Sequence, residues 1–445
     1  MTTEMMSKRD KAMMDAEAQC PFSVEDVDLF APGSQEYWFD AYRILHKDAP
    51  VLRIPGGGDT PDKDGFILTK YEDVARIVRD TETFPLNYGQ RNAGQEVERE
   101  ILLEEGHGDA IDAGLSLRPN MEQHRWHREQ LTNPWVGAVG AGRNTEMITG
   151  FVNELIDRWI DRGSVEYVTE FAAPLPQMVI TTILGFPLED MPTLRKWEEA
   201  QVRRFVFGST HRNLLPEEDE AENARTLAAF HEYIGKHVRE KRKNPKDDMI
   251  SYLTQVEYGD DKRPLTDAEV VSVAYGMHIG GNETTQYALT AEAMVLAQKP
   301  DLAEELRADR SKVRFFVEEC LRLYAPTQGL SGRRPIKDIV VQGVTIPAGS
   351  VIHLRYGAGN RDEEEYPNAE EIDLTRPSPG RHVTFGQGPR SCPGAGLSRL
   401  EQNIATNVIL DRLDDLRLAP GKNDLRHQPG VMLGLLELNL EFGQR

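Results

Sequence analysis

The sequence feature that most constrains the fold is a single cysteine set among glycines and prolines in residues 384–396, TFGQGPRSCPGAG. Gly386 and Gly388 permit a tight backbone reversal that larger residues would block. From residue 397 onward, apolar residues recur at helical spacing, which predicts that Cys392 lies at a helix N-terminus. The helix dipole and free N–H groups there favour a thiolate, which is a strong metal ligand. The alternative is an inert core cysteine beside a glycine turn.

The spacing of the residues around this cysteine resembles the heme-binding loop of the cytochrome P450 family. The residues that carry the resemblance are Phe385, Gly386, Gly388, Arg390, Cys392 and Gly394. The resemblance implies heme b (iron protoporphyrin IX) as the cofactor, with Cys392 as the axial ligand of its iron and the neighbouring residues around it. It also implies the cytochrome P450 fold, mainly α with a small β region, in which a triangular helix-rich domain carries a small β-sheet domain.

The chain has 445 residues, of which 39% are hydrophobic, enough for a large core. No linker or internal repeat is evident. We therefore expect an irregular leader over residues 1–36 and one catalytic domain over residues 37–445, and the resemblance covers about residues 37–440. The β-rich part is predicted at about residues 50–70 and 335–355 and in C-terminal strands.

Hydrophobic periodicity predicts the positions of the other elements. Helices are expected at residues 35–46, 71–80, 174–184, 191–206, 221–242, 265–296 and 302–324. Short strands are expected at residues 51–54, 66–69 and 339–354 and after residue 416. Residues 87–120 are polar and contain glycine, which predicts a long loop with one acidic helical piece, of a kind that often covers a binding site.

The cysteines and the net charge limit which cellular compartment and which binding partners are expected. Cys20, Cys320 and Cys392 are too few and too scattered for a disulfide framework, which indicates a reducing cytoplasm. There is no run of about 18 apolar residues and no apolar segment near the N-terminus, so we expect no membrane anchor. In this respect the chain resembles soluble bacterial members of the family. A formal net charge of −21 argues against nucleic acid as a partner, and we expect a monomer.

Two adjacent glycines interrupt the predicted helix at residues 265–296, and each costs about 1 kcal/mol relative to alanine. Thr284 can donate back to the Gly280 carbonyl, which opens the helical hydrogen-bond ladder. The alternative is a packing contact where another helix crosses. The resemblance implies an oxygen-binding groove here, with Gly280 and Gly281 beside the cofactor and Glu283 and Thr284 managing the protons that oxygen reduction consumes.

Glu319 and Arg322 lie three residues apart, which puts them on one helix face where they can pair. An ordinary surface ion pair is the alternative. The resemblance identifies the pair with the Glu-x-x-Arg element of the family, which pairs with an arginine from a later segment. Arg376 is the predicted third partner, and the role of the three is structural rather than catalytic.

The resemblance also implies cationic or N–H donors for the two heme propionates. His124, Arg128, Arg333 and Arg390 match the positions from which the family draws them. Arg390 stands where soluble bacterial members commonly have a histidine. A zinc site at His124 and His127 is the alternative, but further ligands at suitable spacing are missing from the sequence.

The implied activity is that of a heme-thiolate monooxygenase, which inserts one oxygen atom from O2 into a C–H bond of an apolar substrate. The sequence has no GxGxxG motif between a strand and a helix, so electrons are expected from a ferredoxin and its ferredoxin reductase. A docking patch for an acidic ferredoxin is predicted at Arg125, Arg128, Arg390 and Arg399. Three alternatives stay open: an O-demethylating enzyme for small aromatic substrates, a peroxide-driven enzyme, and a non-enzymatic heme-thiolate sensor.

Gly276, Gly280 and Thr284 are spaced four apart, so they share one helix face on which the glycines leave space. This space predicts hydroxylation of a bulky substrate, such as a terpenoid or a steroid. The residues predicted to contact substrate are Gly276, Ile279, Leu330 and Met432. The alternative is that side chains from residues 87–118 or 191–215 fill the space.

Overall fold

The computed structural model describes residues 16–58, 62–85, 93–104, 110–207, 217–329, 331–428 and 430–445. Its first eight helices are α1 (Trp38–Asp48), α2 (Tyr71–Arg79), α3 (Ala93–Glu104), α4 (Ala110–Ser116), α5 (Met121–Trp126), α6 (Asn133–Val136), α7 (Thr145–Asp157) and α8 (Pro174–Leu184). The next five are α9 (Met191–Phe207), α10 (Glu217–Lys243), α11 (Met249–Leu253), α12 (Asp267–Gly281) and α13 (Glu283–Gln298). The last four are α14 (Pro300–Ala308), α15 (Val313–Leu323), α16 (Tyr356–Gly359) and α17 (Ala395–Arg412).

The strands are short and form four small sheets. They are β1 (Val51–Ile54), β2 (Gly65–Leu68), β3 (Ser164–Glu166), β4 (Glu257–Tyr258), β5 (Arg263–Pro264), β6 (Ser331–Arg333), β7 (Ile339–Val341), β8 (Val344–Ile346), β9 (Val351–Leu354), β10 (Leu413–Leu418) and β11 (Asn439–Gln444). The largest sheet has the order β1-β2-β9-β6, with only the β2–β9 pair parallel. β10, β11 and β3 form an antiparallel sheet, while β4–β5 and β7–β8 are two-stranded. The mainly α architecture with a small β region that the sequence predicts is confirmed.

Two helices that meet end to end form the centre of the core. α12 begins with a capping box, in which Glu269 N donates to Thr266 Oγ1 and Thr266 N donates to Glu269 Oε2 at 2.8 Å. Almost every residue of α13 is buried, and α13 packs against α15, α17 and β10. The sequence predicts one long helix here, whereas the structure divides it at Asn282, whose φ of −107° and ψ of −77° depart from helical values.

The described part of residues 87–120 contains α3, where one acidic helical piece was predicted, and a second helix, α4, that was not predicted. α3 packs against α10, and α4 packs against α12. Gly114 permits the second contact, since a Cβ there would stand only 2.0 Å from Ser272 Oγ. Tertiary packing therefore stabilises a helix, α4, that the polar sequence does not predict. Ser272 precedes Gly276 by one turn, so α4 covers the far end of the glycine-bearing face.

The described part of the expected leader packs onto the rest of the chain. Its helical content is two short turns at Val24–Asp26 and Ser34–Tyr37. Leu29 is buried against α1, and its carbonyl oxygen accepts a hydrogen bond from Trp38 Nε1 at 3.0 Å. Across the residues that the structure describes, none of the helices is long and apolar enough to cross a membrane.

Candidate functional site

Residues from distant parts of the sequence line one cavity of about 290 Å³. Cys392 lies in its wall together with Gly280 and Thr284 from the junction of α12 and α13. Other predicted site residues that line it are Phe385, Gly386, Arg333 and Arg390. Val78, Leu321, Pro326 and Tyr356 also line the cavity but were not predicted, because isolated residues carry no signal that separates a cavity wall from a core. The structure thus brings the cysteine loop and the glycine-interrupted helix together.

Backbone hydrogen bonds hold the cysteine loop in a fixed turn. Cys392 N donates to Phe385 O at 2.7 Å, and Gly386 N donates to Val383 O at 2.8 Å. Gly386 and Gly388 have φ values of +64° and +72°. These values lie in the left-handed region, where a side chain would strain the backbone. The loop therefore presents the Cys392 side chain from a rigid hairpin, as the sequence predicts.

Cys392 precedes α17, which begins at Ala395 with Gly394 as its N-cap. Burial raises the pKa of the Cys392 thiol. Backbone N–H groups of Gly394 and Ala395 and the nearby cations Arg128 and Arg399 act in the opposite direction. The helix N-terminus thus favours the thiolate, as expected, but burial outweighs it in the protein alone. A metal cation bound to the sulfur would reverse this balance.

Four cationic or N–H donors were predicted to hold acidic groups of the cofactor, and they come together around the cysteine loop. Arg128 Nη1 donates to Ser391 O at 2.8 Å, His124 Nε2 lies 3.2 Å from Pro389 O, and Arg390 Nη2 donates to Phe84 O at 2.8 Å. Arg333 follows on β6 and faces the same cavity. Arg128 is in a π-helical turn at His127–Thr132 that continues α5.

His124 and Arg333 each carry a buried nitrogen, Nδ1 and Nε respectively, for which the described residues offer no hydrogen-bond partner. Burial lowers the pKa of His124, so its ring is neutral near pH 7. Burial also lowers the pKa of His127, to about 3. Within the described ranges, no group of three or more histidine, cysteine, aspartate or glutamate side chains is placed to hold a metal ion.

The two adjacent glycines have different neighbours. Apart from the adjacent residues and the backbone of their own helix, no atom of the described residues lies within 4 Å of the point where a Cβ would stand on Gly276 or Gly280. A Cβ on Gly281, by contrast, would stand 3.0 Å from Ile180 Cγ1 of α8. Gly281 was predicted to lie beside the cofactor, but its position is that of a helix-packing glycine. The groove hypothesis therefore applies to Gly280, and the packing alternative applies to Gly281.

Glu283 lies in a buried acidic cluster behind the cavity wall. Burial raises the pKa of Glu283 to about 6, and the Tyr287 hydroxyl opposes this shift. Burial and the charge of Glu283 raise the pKa of Glu198 on α9 to about 8. Asn282 Nδ2 donates to Glu198 Oε2, while Glu198 Oε1 has no partner in the described part of the chain. Glu198 was not predicted, because two adjacent glutamates on an amphipathic helix are usually exposed.

The predicted substrate residues are only partly assembled. Thr327 lines the cavity and pairs with Met432 through an isolated β-bridge, with Thr327 Oγ1 3.7 Å from Met432 Sδ. Met432 packs against Tyr287. Ile279 is half-buried and packs against the main core. Leu330 lies outside the described residues.

The predicted Glu-x-x-Arg element is fully buried. Arg322 Nε and Nη2 donate to the two oxygens of Glu319 at 2.8 and 2.9 Å, and Arg376 Nε donates to Glu319 Oε2 at 3.0 Å. Arg322 also donates to the carbonyl oxygens of Ala369 and Glu371. The three charged side chains thus form the predicted contact and tie α15 to the irregular segment before the cysteine loop.

Comparison with known proteins agrees with this geometry. The family model described as cytochrome P450 matches residues 112–442. The cyclomarin C epoxidase CymV of Salinispora arenicola is 31% identical over 367 residues, which are 82% of this chain and 88% of that protein. The biotin biosynthesis cytochrome P450 of Bacillus subtilis is 29% identical over 391 residues, 86% of this chain and 90% of that protein. The crystal structure of P450BioI in complex with hexadec-9Z-enoic acid-ligated acyl carrier protein superimposes with a TM-score of 0.77 at 28% identity, covering 92% of this chain and 98% of that chain.

Proposed function

Because the chain belongs to the cytochrome P450 family, we propose that it inserts one oxygen atom from O2 into a C–H bond of a bulky, mainly apolar substrate. The chain is an oxidoreductase of the cytochrome P450 monooxygenase type, and the cofactor of this family is heme b. The observation that carries the proposal is the single cavity lined by Cys392, Gly280 and Thr284. It combines a thiol ligand, an open helix face and a hydroxyl group in one space.

The residues of the cavity fit heme b. Cys392 offers a sulfur ligand for the iron, and Gly280 leaves the facing helix free of side-chain atoms. The buried nitrogens without partners on His124 and Arg333 match the need of two propionates for donors, to which Arg128 and Arg390 add guanidinium groups. When bound, heme b supplies the chemistry of oxygen activation, which the protein side chains cannot perform.

Thr284 in the cavity wall and Glu283 in the buried cluster behind that wall are proposed to move protons to the cavity. The Thr284 hydroxyl donates to Gly280 O, so the lone pairs of its Oγ1 stay available to accept a hydrogen bond from water. Glu283, with a pKa of about 6, exchanges protons readily near neutral pH. The helix interruption at Asn282 separates the two residues from the regular hydrogen-bond ladder and supports a proton path between them.

Electrons are proposed to come from a ferredoxin and its reductase, since the sequence carries no flavin or nicotinamide motif. Of the four arginines predicted to attract an acidic ferredoxin, Arg125 is the best test, because its side chain is 61% exposed and its nearest carboxylate, Glu129, is 3.8 Å away. Arg125→Glu should slow reduction by ferredoxin and weaken the dependence of the rate on salt. Arg53→Glu, an equally exposed change on β1, is the matched control and should leave the rate unchanged.

The substrate is proposed to be bulky, of terpenoid or steroid size. The open face at Gly276 and Gly280 supports this, because side chains of the described residues do not refill it. Relatives carry names that refer to different products, among them cyclomarin C, biotin and polyketides. This diversity favours no single ring system, so size and apolar character are the properties on which the proposal rests.

Turnover under two oxidant supplies tests the proposed activity. The protein is incubated with a panel of three- and four-ring compounds, either with ferredoxin, reductase, reduced nicotinamide and isotopically labelled O2, or with hydrogen peroxide alone. We expect labelled hydroxylated product with the reductase system and little product with peroxide. Efficient turnover by peroxide alone would instead identify a peroxide-driven enzyme. Tight ligand binding without turnover under either supply would identify a sensor.

A further inference from the structure

An ion pair on the cysteine side of the cavity involves a carboxylate that the sequence analysis did not single out. Arg399 of α17 donates from Nε to Oε1 of Glu318 at 2.5 Å and from Nη2 to Oε2 at 2.9 Å. Glu318 belongs to α15, so the pair joins two helices through two parallel hydrogen bonds. This two-bond geometry fixes both side chains, unlike a single-contact surface pair.

A buried histidine completes the arrangement. His382 Nε2 lies 2.9 Å from Glu318 Oε2, and because an ionised carboxylate can only accept, the histidine is the donor. Burial lowers the pKa of His382, which leaves the ring neutral near pH 7. Burial would raise the pKa of Glu318, but the hydrogen bonds from His382 and Arg399 outweigh it and lower this pKa to about 2. The net charge of the three side chains is therefore zero at working pH.

The arginine of this group reaches the cysteine loop. Its guanidinium carbon lies 4.5 Å from the ring centroid of Phe385, over the ring face. The carbonyl oxygen of Phe385 accepts the backbone N–H of Cys392 at 2.7 Å. The charge of Arg399 is thus held against the ring of the loop that carries Cys392.

We propose that Glu318 is a positioning residue that neutralises Arg399 beside Cys392 and thereby lowers the reduction potential of the cofactor bound there. The inference rests on the proposed function, since it takes Cys392 as the iron ligand. Reduction adds one electron, delivered by the redox partner, and so lowers the charge at the cofactor by one. An uncompensated cation nearby favours that step, whereas a cation paired with a carboxylate favours it less.

The same pair explains why Arg399 differs from the other arginines predicted to dock a ferredoxin. The two guanidinium nitrogens of Arg399 that form the pair both donate to Glu318, and the Arg399 side chain is only 30% exposed. Its charge is largely compensated before any partner arrives. We therefore expect the charge of Arg399 to act on the cofactor, whereas the exposed Arg125 is the better cation for docking a ferredoxin.

Potentiometric titration of the heme-loaded protein tests the proposal with four variants. Glu318→Gln removes the carboxylate charge but keeps an acceptor oxygen for His382. It should raise the equilibrium constant for one-electron reduction about three- to tenfold, where tenfold corresponds to about 59 mV. Arg399→Gln should lower the reduction potential, and the double variant should have a reduction potential close to that of the wild-type protein. Asp411→Asn is the control, because it removes one negative charge from a side chain that is paired with Arg310. Asp411 lies on α17, roughly 18 Å along the helix from Arg399.

The ferrous–CO spectrum of each variant separates failure of this proposal from failure of the proposed function. If every variant keeps the spectrum of a thiolate ligand and Glu318→Gln has the potential of Asp411→Asn, the role of Glu318 is excluded. If Glu318→Gln does not fold, an unchanged potential in Arg399→Gln excludes it equally. If the wild-type protein itself lacks the thiolate spectrum, the ligand assignment fails, and the role of Glu318 beside that ligand fails with it.

Discussion

Thr284 Oγ1 donates to the carbonyl oxygen of Gly280 across a distance of 3.2 Å. The bond spans the point where α12 ends at Gly281 and α13 begins at Glu283. A hydroxyl bonded to the carbonyl four residues earlier competes with the backbone N–H for that carbonyl, which opens the helix at a position where glycine leaves space. The hydroxyl and the opened backbone face the same cavity as Cys392.

Thr284→Ala should therefore uncouple oxygen consumption from product formation. Alanine lacks the hydroxyl that is proposed to hold a water molecule, so proton delivery should fail and reduced oxygen should leave as hydrogen peroxide. We expect the ratio of product formed to reductant consumed to fall severalfold, with peroxide rising to match. Thr290→Ala is the matched control, since Thr290 makes the same bond, to Gln286 O at 2.8 Å, deep in the core. An unchanged ratio in Thr284→Ala would remove this residue from the mechanism.

Glu198 gives the folded protein a distinct pH dependence. Its pKa is raised from 4.5 to about 8, so between these values the folded protein holds a proton that the unfolded chain releases. The contribution of Glu198 to stability is thus lost as pH rises from about 4.5 through 8. Relative to Glu198→Gln, the wild-type protein should lose at most about 5 kcal/mol of unfolding free energy over this range.

Urea unfolding at several pH values measures this difference. The groups facing Glu198 are Glu283 and Asn282 from the helix junction and Arg195 from its own helix. The neighbouring substitution Glu199→Gln, which removes a carboxylate paired with Arg195, should keep the wild-type pH dependence. Parallel stability curves for wild type and Glu198→Gln would show that Glu198 is ionised in the folded protein.

Glu319→Gln should destabilise the fold strongly. Glu319 is fully buried and accepts from both Arg322 and Arg376, so its loss leaves two buried guanidinium groups without a compensating charge. Removing one partner of a buried pair costs about 3–5 kcal/mol. Glu305→Gln, which breaks an exposed pair with Lys312, should cost about 1 kcal/mol or less in the same unfolding experiment. Equal losses in the two variants would contradict a structural role for the buried element.

Gly276→Leu tests the size of the substrate space. Since no described atom beyond the adjacent residues and the backbone of the same helix lies within 4 Å of a Cβ at this position, leucine fits without strain but projects into the open volume. Spectral titration should show weaker binding of three- and four-ring compounds by at least tenfold, about 1.4 kcal/mol, with single-ring compounds little affected. Tight binding of single-ring compounds only, before and after the change, would favour the small aromatic substrate class.

Elements whose signal is local in the sequence were predicted, whereas elements that depend on contacts distant in the sequence were not. β1 and α8 were predicted at residues 51–54 and 174–184, the bounds found, because hydrophobic periodicity and the flanking turn residues are local. α3 corresponds to the acidic helical piece predicted within residues 87–120, whereas α4 was missed, since its stability comes from packing on α12.

The prediction of site residues was limited further, because the sequence does not show what each residue contacts in the fold. Gly280 and Gly281 are the same residue type, so the sequence alone does not distinguish them. Only the position of Ile180 shows that Gly281 packs against another helix while Gly280 is open. The burial of Glu198 and the pairing of Arg399 with Glu318 likewise depend on contacts between helices distant in sequence. The cysteine loop was predictable because its glycines and its cysteine lie within a dozen residues.

The ferrous–CO spectrum of Cys392→Ala tests the central claim most directly. The wild-type protein should show the red-shifted band of a thiolate opposite CO, and Cys320→Ala, a buried cysteine in α15, should keep it. Folded Cys392→Ala and Cys392→Ser proteins should lose the band, because neither side chain supplies a thiolate. Persistence of the band in a folded Cys392→Ala protein would contradict the assignment of Cys392 as the ligand of the heme iron.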